Sequence, residues 1–191
     1  MSDRKRYLDK TWEHDLDWVR KALIEKGEVR QMIVIHTPAI GIVISIHASM
    51  TKDATCAFAR DVCVAYDADA VTTMGEAWML RAKGAEPVDT SVLPSQSPDR
   101  IEVLAVSMSI RDDTGAISHR ASYRPIERGA DGKPTGLGAE IGYTGVEYVG
   151  RFAEILPERK PTFTERRIAR KRIDAARDRL AFVHQPSATV H

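Results

Sequence analysis

Residues 31–80, QMIVIHTPAIGIVISIHASMTKDATCAFARDVCVAYDADAVTTMGEAWML, decide the fold. They read as strand, turn, strand, helix, strand. Met32, Ile33, Val34 and Ile35 form a short apolar run that ends at His36. Pro38 breaks it, because proline has no N–H to give to a sheet ladder. A second run, residues 40–46, is mostly isoleucine and valine and ends at His47. Both runs are β-branched and too short for stable helices, so they read as strands covered on both faces.

Thr51 can cap a helix over residues 52–67. Its charges Asp53, Arg60 and Asp67 form one narrow stripe, widened by Lys52 and Asp61. A surface helix needs only one apolar face. This one is apolar over most of its circumference, so a layer besides the sheet must cover it. That layer is either another helix of this chain or a second copy.

A third strand starts at Ala70 and runs on toward Leu80. Period-two alternation puts Met74, Glu76, Trp78 and Leu80 on one face. Glu76 is then a carboxylate beside an indole among apolar neighbours, a candidate perturbed acid. The plainer reading pairs it with a nearby arginine, since structural ion pairs perturb acids as well.

On the N-terminal side, residues 9–26 read as an amphipathic helix, with Asp9 as cap and Gly27 as terminator. Leu8, Trp12, Leu16, Val19 and Leu23 form a single stripe that can cover the sheet. His14 falls on the wet side.

On the C-terminal side, residues 81–100 have no clear period and contain Gly84, Pro87, Pro94 and Pro98. Irregular segments of this length in a compact domain are commonly functional or mobile. They end at Asp99 and Arg100, at the entrance of the next strand, where a rigid sheet can support loop chemistry. The plainer reading is an Asp bonded within its own turn and an Arg paired locally. Residues 101–111 alternate, Asp112-Asp113-Thr114-Gly115 turn, and residues 116–126 return as the partner strand. In that strand Ile117, His119, Ala121 and Tyr123 face in, while Ser118, Arg120, Ser122 and Arg124 face out. His119 on the apolar side reads as a hydrogen-bonded core residue; with Trp78 it is also a candidate binding residue.

Residues 129–145 are rich in glycine. A dinucleotide fingerprint would need glycine where Ile141 stands, and there is no Gly-Lys-Ser/Thr. The segment reads as a flexible flap. Residues 145–156 fit a strand or a short helix, ended by Pro157. Thr162-Phe163-Thr164-Glu165 is a capping box. The helix it opens is expected to reach about residue 182, docked by a thin stripe of Ala169, Ile173, Ala176, Leu180 and Val183. Arg166, Arg167, Arg170 and Lys171 begin a basic run on its other faces. Such a run can grip phosphates, or it can be a solvated face, the commoner outcome.

The chain has 191 residues, 43% hydrophobic and 29% charged, the composition of an ordinary globular domain. Net charge is +1, so the molecule as a whole makes no electrostatic case for nucleic acid or acidic lipid. No leader-like apolar segment follows Met1, and no run is long enough to span a bilayer. A cytoplasmic setting is expected. Cys56 and Cys63 lie about 10 Å apart along the helix axis, too far for a disulfide, and read as buried thiols. The histidines are scattered, and no Gly-x-Ser-x-Gly or His-Glu-x-x-His motif occurs, so no metal or cofactor is expected.

The expected fold is α/β or α+β. A mixed, largely antiparallel sheet of five or six strands carries a mostly apolar central helix, an N-terminal amphipathic helix and a basic C-terminal helix. Residues 1–183 form one domain and residues 184–191 a tail. The leading functional expectation is a cytosolic binding or regulatory protein acting through a homo-oligomer or a protein partner. One alternative is a small hydrolase-type enzyme, with Glu76 as general base, Asp99 beside it and Arg100 binding an anionic group. The other is nucleic-acid binding through Arg166, Arg167, Arg170 and Lys171.

Overall fold

The strand–helix–strand core of the sequence forms as expected, with one strand inserted into it. A computed structural model describes residues 3–37, 41–45, 51–80, 93–112, 114–141, 155–176 and 182–185. In order these form α1 (Asp3–Lys26), β1 (Met32–His36), β2 (Gly41–Ser45), α2 (Lys52–Tyr66), β3 (Ala70–Leu80), β4 (Arg100–Arg111), β5 (Ile117–Arg128), β6 (Pro134–Leu137), α3 (Phe163–Ala176) and β7 (Phe182–Gln185). The sheet order is β6-β5-β4-β3-β1-β2-β7. Five principal strands, β1–β5, are flanked by two four-residue edge strands, β6 and β7.

Every described pairing is antiparallel. β2 and β3 run the same way with α2 as their crossover, and β1 lies between them, pairing with both. A strand–helix–strand sequence therefore gives no parallel ladder here, because the hairpin partner occupies the slot between its two strands.

The helices lie on opposite faces. Val19 and Leu23 of α1 pack with Met74, Leu104 and Val106, and Leu8 packs with Ala70, Met108 and Ile110. On the other face Phe58, Ala59, Val62 and Cys63 of α2 pack with Ile33, Ile35 and Val71, joined by Ala169 and Ile173 of α3. Burying each such aliphatic side chain contributes about 1.5–3 kcal/mol. The second cover for α2 is thus α3, a helix of the same chain.

Thr51 caps α2, its Oγ1 accepting from the Ala54 N–H at 3.2 Å. Asp67 ends it in the left-handed region at φ 52°. Gly27, at φ 80°, ends α1, and its N–H donates to Leu23 O at 2.9 Å. α1 begins at Asp3, so Asp9 is an interior residue, and its carboxylate pairs with Arg120 of β5. That correction follows from packing: Leu8, ahead of Asp9, is already buried against Ala70, Met108 and Ile110, so the helix extends over the sheet before Asp9.

Gly75 at φ 154° is required by a close approach. A Cβ there would sit 2.8 Å from Gln31 Cα, where the chain leaving α1 crosses the sheet.

Two expectations about the C-terminal half change. Residues 129–133 form a tight turn, with the Gly129 N–H donating to Lys133 O at 2.8 Å, and residues 134–137 add β6 to the sheet. Phe182, expected to end the last helix, instead opens β7, which pairs with β2 and includes His184 and Gln185. The free edges of β5 and β2 offer ladder hydrogen bonds that local propensity does not register. His47, most of the 81–100 connection and residues 142–154 lie outside the described residues.

Candidate functional site

Glu76 is held from two sides. Its Oε1 accepts the Val29 N–H at 2.6 Å, and its Oε2 accepts from Arg128 Nη2 at 3.0 Å. Val29 belongs to the turn between α1 and β1, and the Glu76 N–H donates back to Val29 O. Arg128 also binds Glu102 through two bonds, Nε at 2.7 Å and Nη2 at 2.6 Å. That guanidinium holds the Glu102 carboxyl below the usual carboxylate range, and Glu102 in turn raises Arg128. One arginine thus bridges two carboxylates from neighbouring strands. This is the plainer of the two readings of Glu76.

Antiparallel register sets Trp78 opposite Glu102 and Leu80 opposite Arg100. The Arg100 guanidinium crosses diagonally and stacks 4.5 Å from the Trp78 ring centroid. It also donates to Ser95 O. The Asp99 N–H donates to Ser97 Oγ at 3.2 Å, within its own turn. Glu76, Trp78 and Arg100 therefore share one end of β3 and β4. Trp78 and Arg100 contact each other there, while Glu76 is held by Val29 and Arg128.

His119 is exposed rather than enclosed, and its Nδ1 lies 3.0 Å from the buried Ser109 hydroxyl, directly across the ladder. Partial desolvation lowers its pKa, which keeps the ring neutral and able to accept. The inward and outward assignments for its strand need correcting. Ile117 does pack against the α2 cluster, but Ser122 on the supposed outer face is 4% exposed. α1 covers that face.

Sequence reading missed two buried polar centres. In the first, Asp15 Oδ2 accepts from Thr72 Oγ1 at 2.7 Å and lies 3.0 Å from His36 Nε2, all three residues buried between α1, β1 and β3. A signal existed: Asp15 falls between Trp12 and Val19 at spacings of three and four, on the buried stripe. In the second, Arg111 is fully buried. It binds Asp67 Oδ1 and Ala68 O at 2.7 Å each, and Arg159 O at 3.0 Å. Nothing local marks that arginine, because alternation only assigns it a face.

The capping box of α3 is present. Glu165 Oε2 accepts the Thr162 N–H at 2.7 Å, and the Glu165 N–H donates back to Thr162 Oγ1 at 3.3 Å. Only Ala169 and Ile173 of this helix are buried, so its basic residues face outward. Arg166 lies 3.9 Å from Asp67, and Arg172 lies 3.3 Å from Asp61. Among the described residues no carboxylate pairs with Arg167, Arg170 or Lys171. Phe163, 76% exposed, joins Arg166, Arg167 and Arg170 around a cleft of about 300 Å³.

A second cleft, of about 280 Å³, lies on the opposite side of the sheet, between α1 and β4–β6. Neither cleft is lined by Glu76, Asp99, Arg100 or His119. Among the described residues no group of three His, Cys, Asp or Glu side chains could hold a metal ion. No described helix is long and apolar enough to cross a membrane. Compared with known family models, curated proteins and solved structures, the chain matches none.

Proposed function

We propose that this chain is a binding protein that grips single-stranded nucleic acid along the outer face of α3. One observation carries the reading: a phenylalanine 76% exposed at the head of a helix, framed by three arginines in a shared cleft. Exposing that ring to water has no packing benefit, whereas bases stack on aromatic faces and arginines take the phosphates. The net charge of +1 makes the attraction local to this helix. The wider expectation of a cytoplasmic binding or regulatory protein is kept, and the two free thiols suit a reducing setting.

The test is fluorescence anisotropy of a labelled oligothymidylate. With Arg167, Arg170 and Lys171 as cations that no described carboxylate pairs, log K should fall with log salt at a slope of about −2. Phe163→Ala should cost about 1–3 kcal/mol of binding. Binding unchanged when Arg167, Arg170 and Lys171 all become Ala, or binding only to phosphatidylserine vesicles, rejects the reading.

A homo-oligomer is the second reading. Its support is Tyr7 and Trp18, each 41% exposed. Three helical turns separate them, so they share the outward side of α1. Light-scattering mass that stays monomeric across concentrations removes it. A hydrolase site at Glu76, Asp99 and Arg100 has less support, because a general base there would first have to release Arg128 and the Val29 N–H.

A further inference from the structure

The cleft on the α1 side of the sheet is built differently from the arginine face of α3. Its floor is apolar: Leu16 from α1, Leu104 and Val106 from β4, and Leu137 from β6. Its rim carries both signs of charge, Glu13 and Arg20 from α1, Arg124 from β5, and Glu140 just beyond β6. Asp17 also lines it, but that carboxylate is taken by Lys21 at 2.7 Å.

The remaining rim charges do not neutralise one another. Among the described residues neither Glu13 nor Glu140 closes an ion pair with Arg20 or Arg124, although all four line one cleft. Arg124 is fixed at one edge, its Nε donating to Gly138 O at 3.1 Å. Its Nη groups make no hydrogen bond with a described residue. Ser122, 4% exposed, also lines the cleft, and no described group hydrogen-bonds its hydroxyl. That hydroxyl lines the open cleft, where it can hydrogen-bond a polar group arriving from outside.

We propose that this cleft binds a free α-amino acid with an apolar side chain. The carboxylate of the ligand meets the Arg124 and Arg20 guanidiniums and the Ser122 hydroxyl. Its ammonium meets Glu13 and Glu140, and its side chain lies on Leu16, Leu104, Val106 and Leu137. The volume suits a molecule of that size, since sites for larger ligands run from about 300 to 1,000 Å³. The site and the α3 surface lie on opposite faces of the sheet, so one can exist without the other.

Calorimetric titration of the full chain with L-leucine tests this. Saturable heat is expected with L-leucine, and none with N-acetyl-leucine or leucinamide, each of which lacks one of the two charges. Arg124→Gln should weaken L-leucine binding about tenfold or more, the worth of a charge-assisted hydrogen bond. Ser122→Ala, a smaller change, should weaken it less while leaving the unfolding midpoint within a few degrees. Should Arg124→Gln fail to fold, Glu140→Gln at the exposed rim replaces it, with the same tenfold expectation. Equal binding of the capped compounds overturns the proposal, as does the absence of saturable heat with L-leucine at millimolar concentration.

Discussion

Arg111 and Asp67 meet at 2.7 Å, a fully buried guanidinium against the left-handed residue that ends α2. The same arginine reaches Ala68 O, Pro157 O and Arg159 O. It therefore ties together the end of α2, the end of β4 and the segment leading into α3. Arg111→Met should destabilise the fold by about 3–5 kcal/mol, because it leaves a carboxylate and three carbonyls without their donor. Asp67→Gly keeps the left-handed backbone but takes the carboxylate from a guanidinium whose side chain is 1% exposed, so it should cost a comparable amount. Urea unfolding of both variants at neutral pH checks the two costs.

Asp15 should behave as one corner of a coupled set. Asp15→Leu removes the carboxylate to which the Thr72 hydroxyl donates and leaves that hydroxyl His36 Nε2 at 3.0 Å, at a cost of about 1–3 kcal/mol. Thr72→Val should then cost less in the Asp15→Leu background than in the wild type. A double-mutant cycle measures that difference, and simple additivity would show the pair to be uncoupled.

Glu165 has a pH signature of its own. Arg159, then the Thr162 N–H and hydroxyl, lower its carboxyl to about 2 from an ordinary 4.5. A depressed folded-state pKa contributes stability that is present above the unfolded value and is lost as pH falls through the folded one. Wild type should therefore lose stability relative to Glu165→Gln as pH drops from 4.5 toward 2, with a constant difference between the two above that window. Denaturant midpoints of the two proteins across the window decide it.

The two thiols should separate cleanly. Burial pushes the Cys63 thiol well above its usual range, while Cys56 is only half buried. Native protein should give one accessible thiol with Ellman's reagent, and its rate should rise with pH. Cys63→Ser should leave that rate unchanged. Labelling of Cys63 should track global unfolding.

Much of the architecture was legible before any coordinates. The runs at 32–35 and 40–46, the cap at Thr51 and the capping box at 162–165 are short-window signals, and each marks the element it predicts. The demand for a second cover over α2 was legible too, and α3 meets it through Ala169 and Ile173. The two edge strands were not. β6 lies in a glycine-rich segment of low strand propensity, and it is held by the open edge of β5. The arginine face of α3 could be read residue by residue. The cleft beside α1 could not, since its walls come from α1, β4, β5 and β6.

Periodicity, caps and turn residues are written within a few positions of one another, so the chain by itself determined which segments coil, which extend and which faces are apolar. Partner choice works over far greater separations. Asp15 and Thr72 stand 57 residues apart, Arg128 and Glu76 52, and Arg111 and Asp67 44. Many carboxylates and arginines could satisfy one another equally well on composition alone. Only register across β3–β5, and the side of the sheet on which each helix lands, bring particular ones within hydrogen-bond reach. Glu76 thereby came to share Arg128 with Glu102, while the rim charges beside Ser122 were left facing open space.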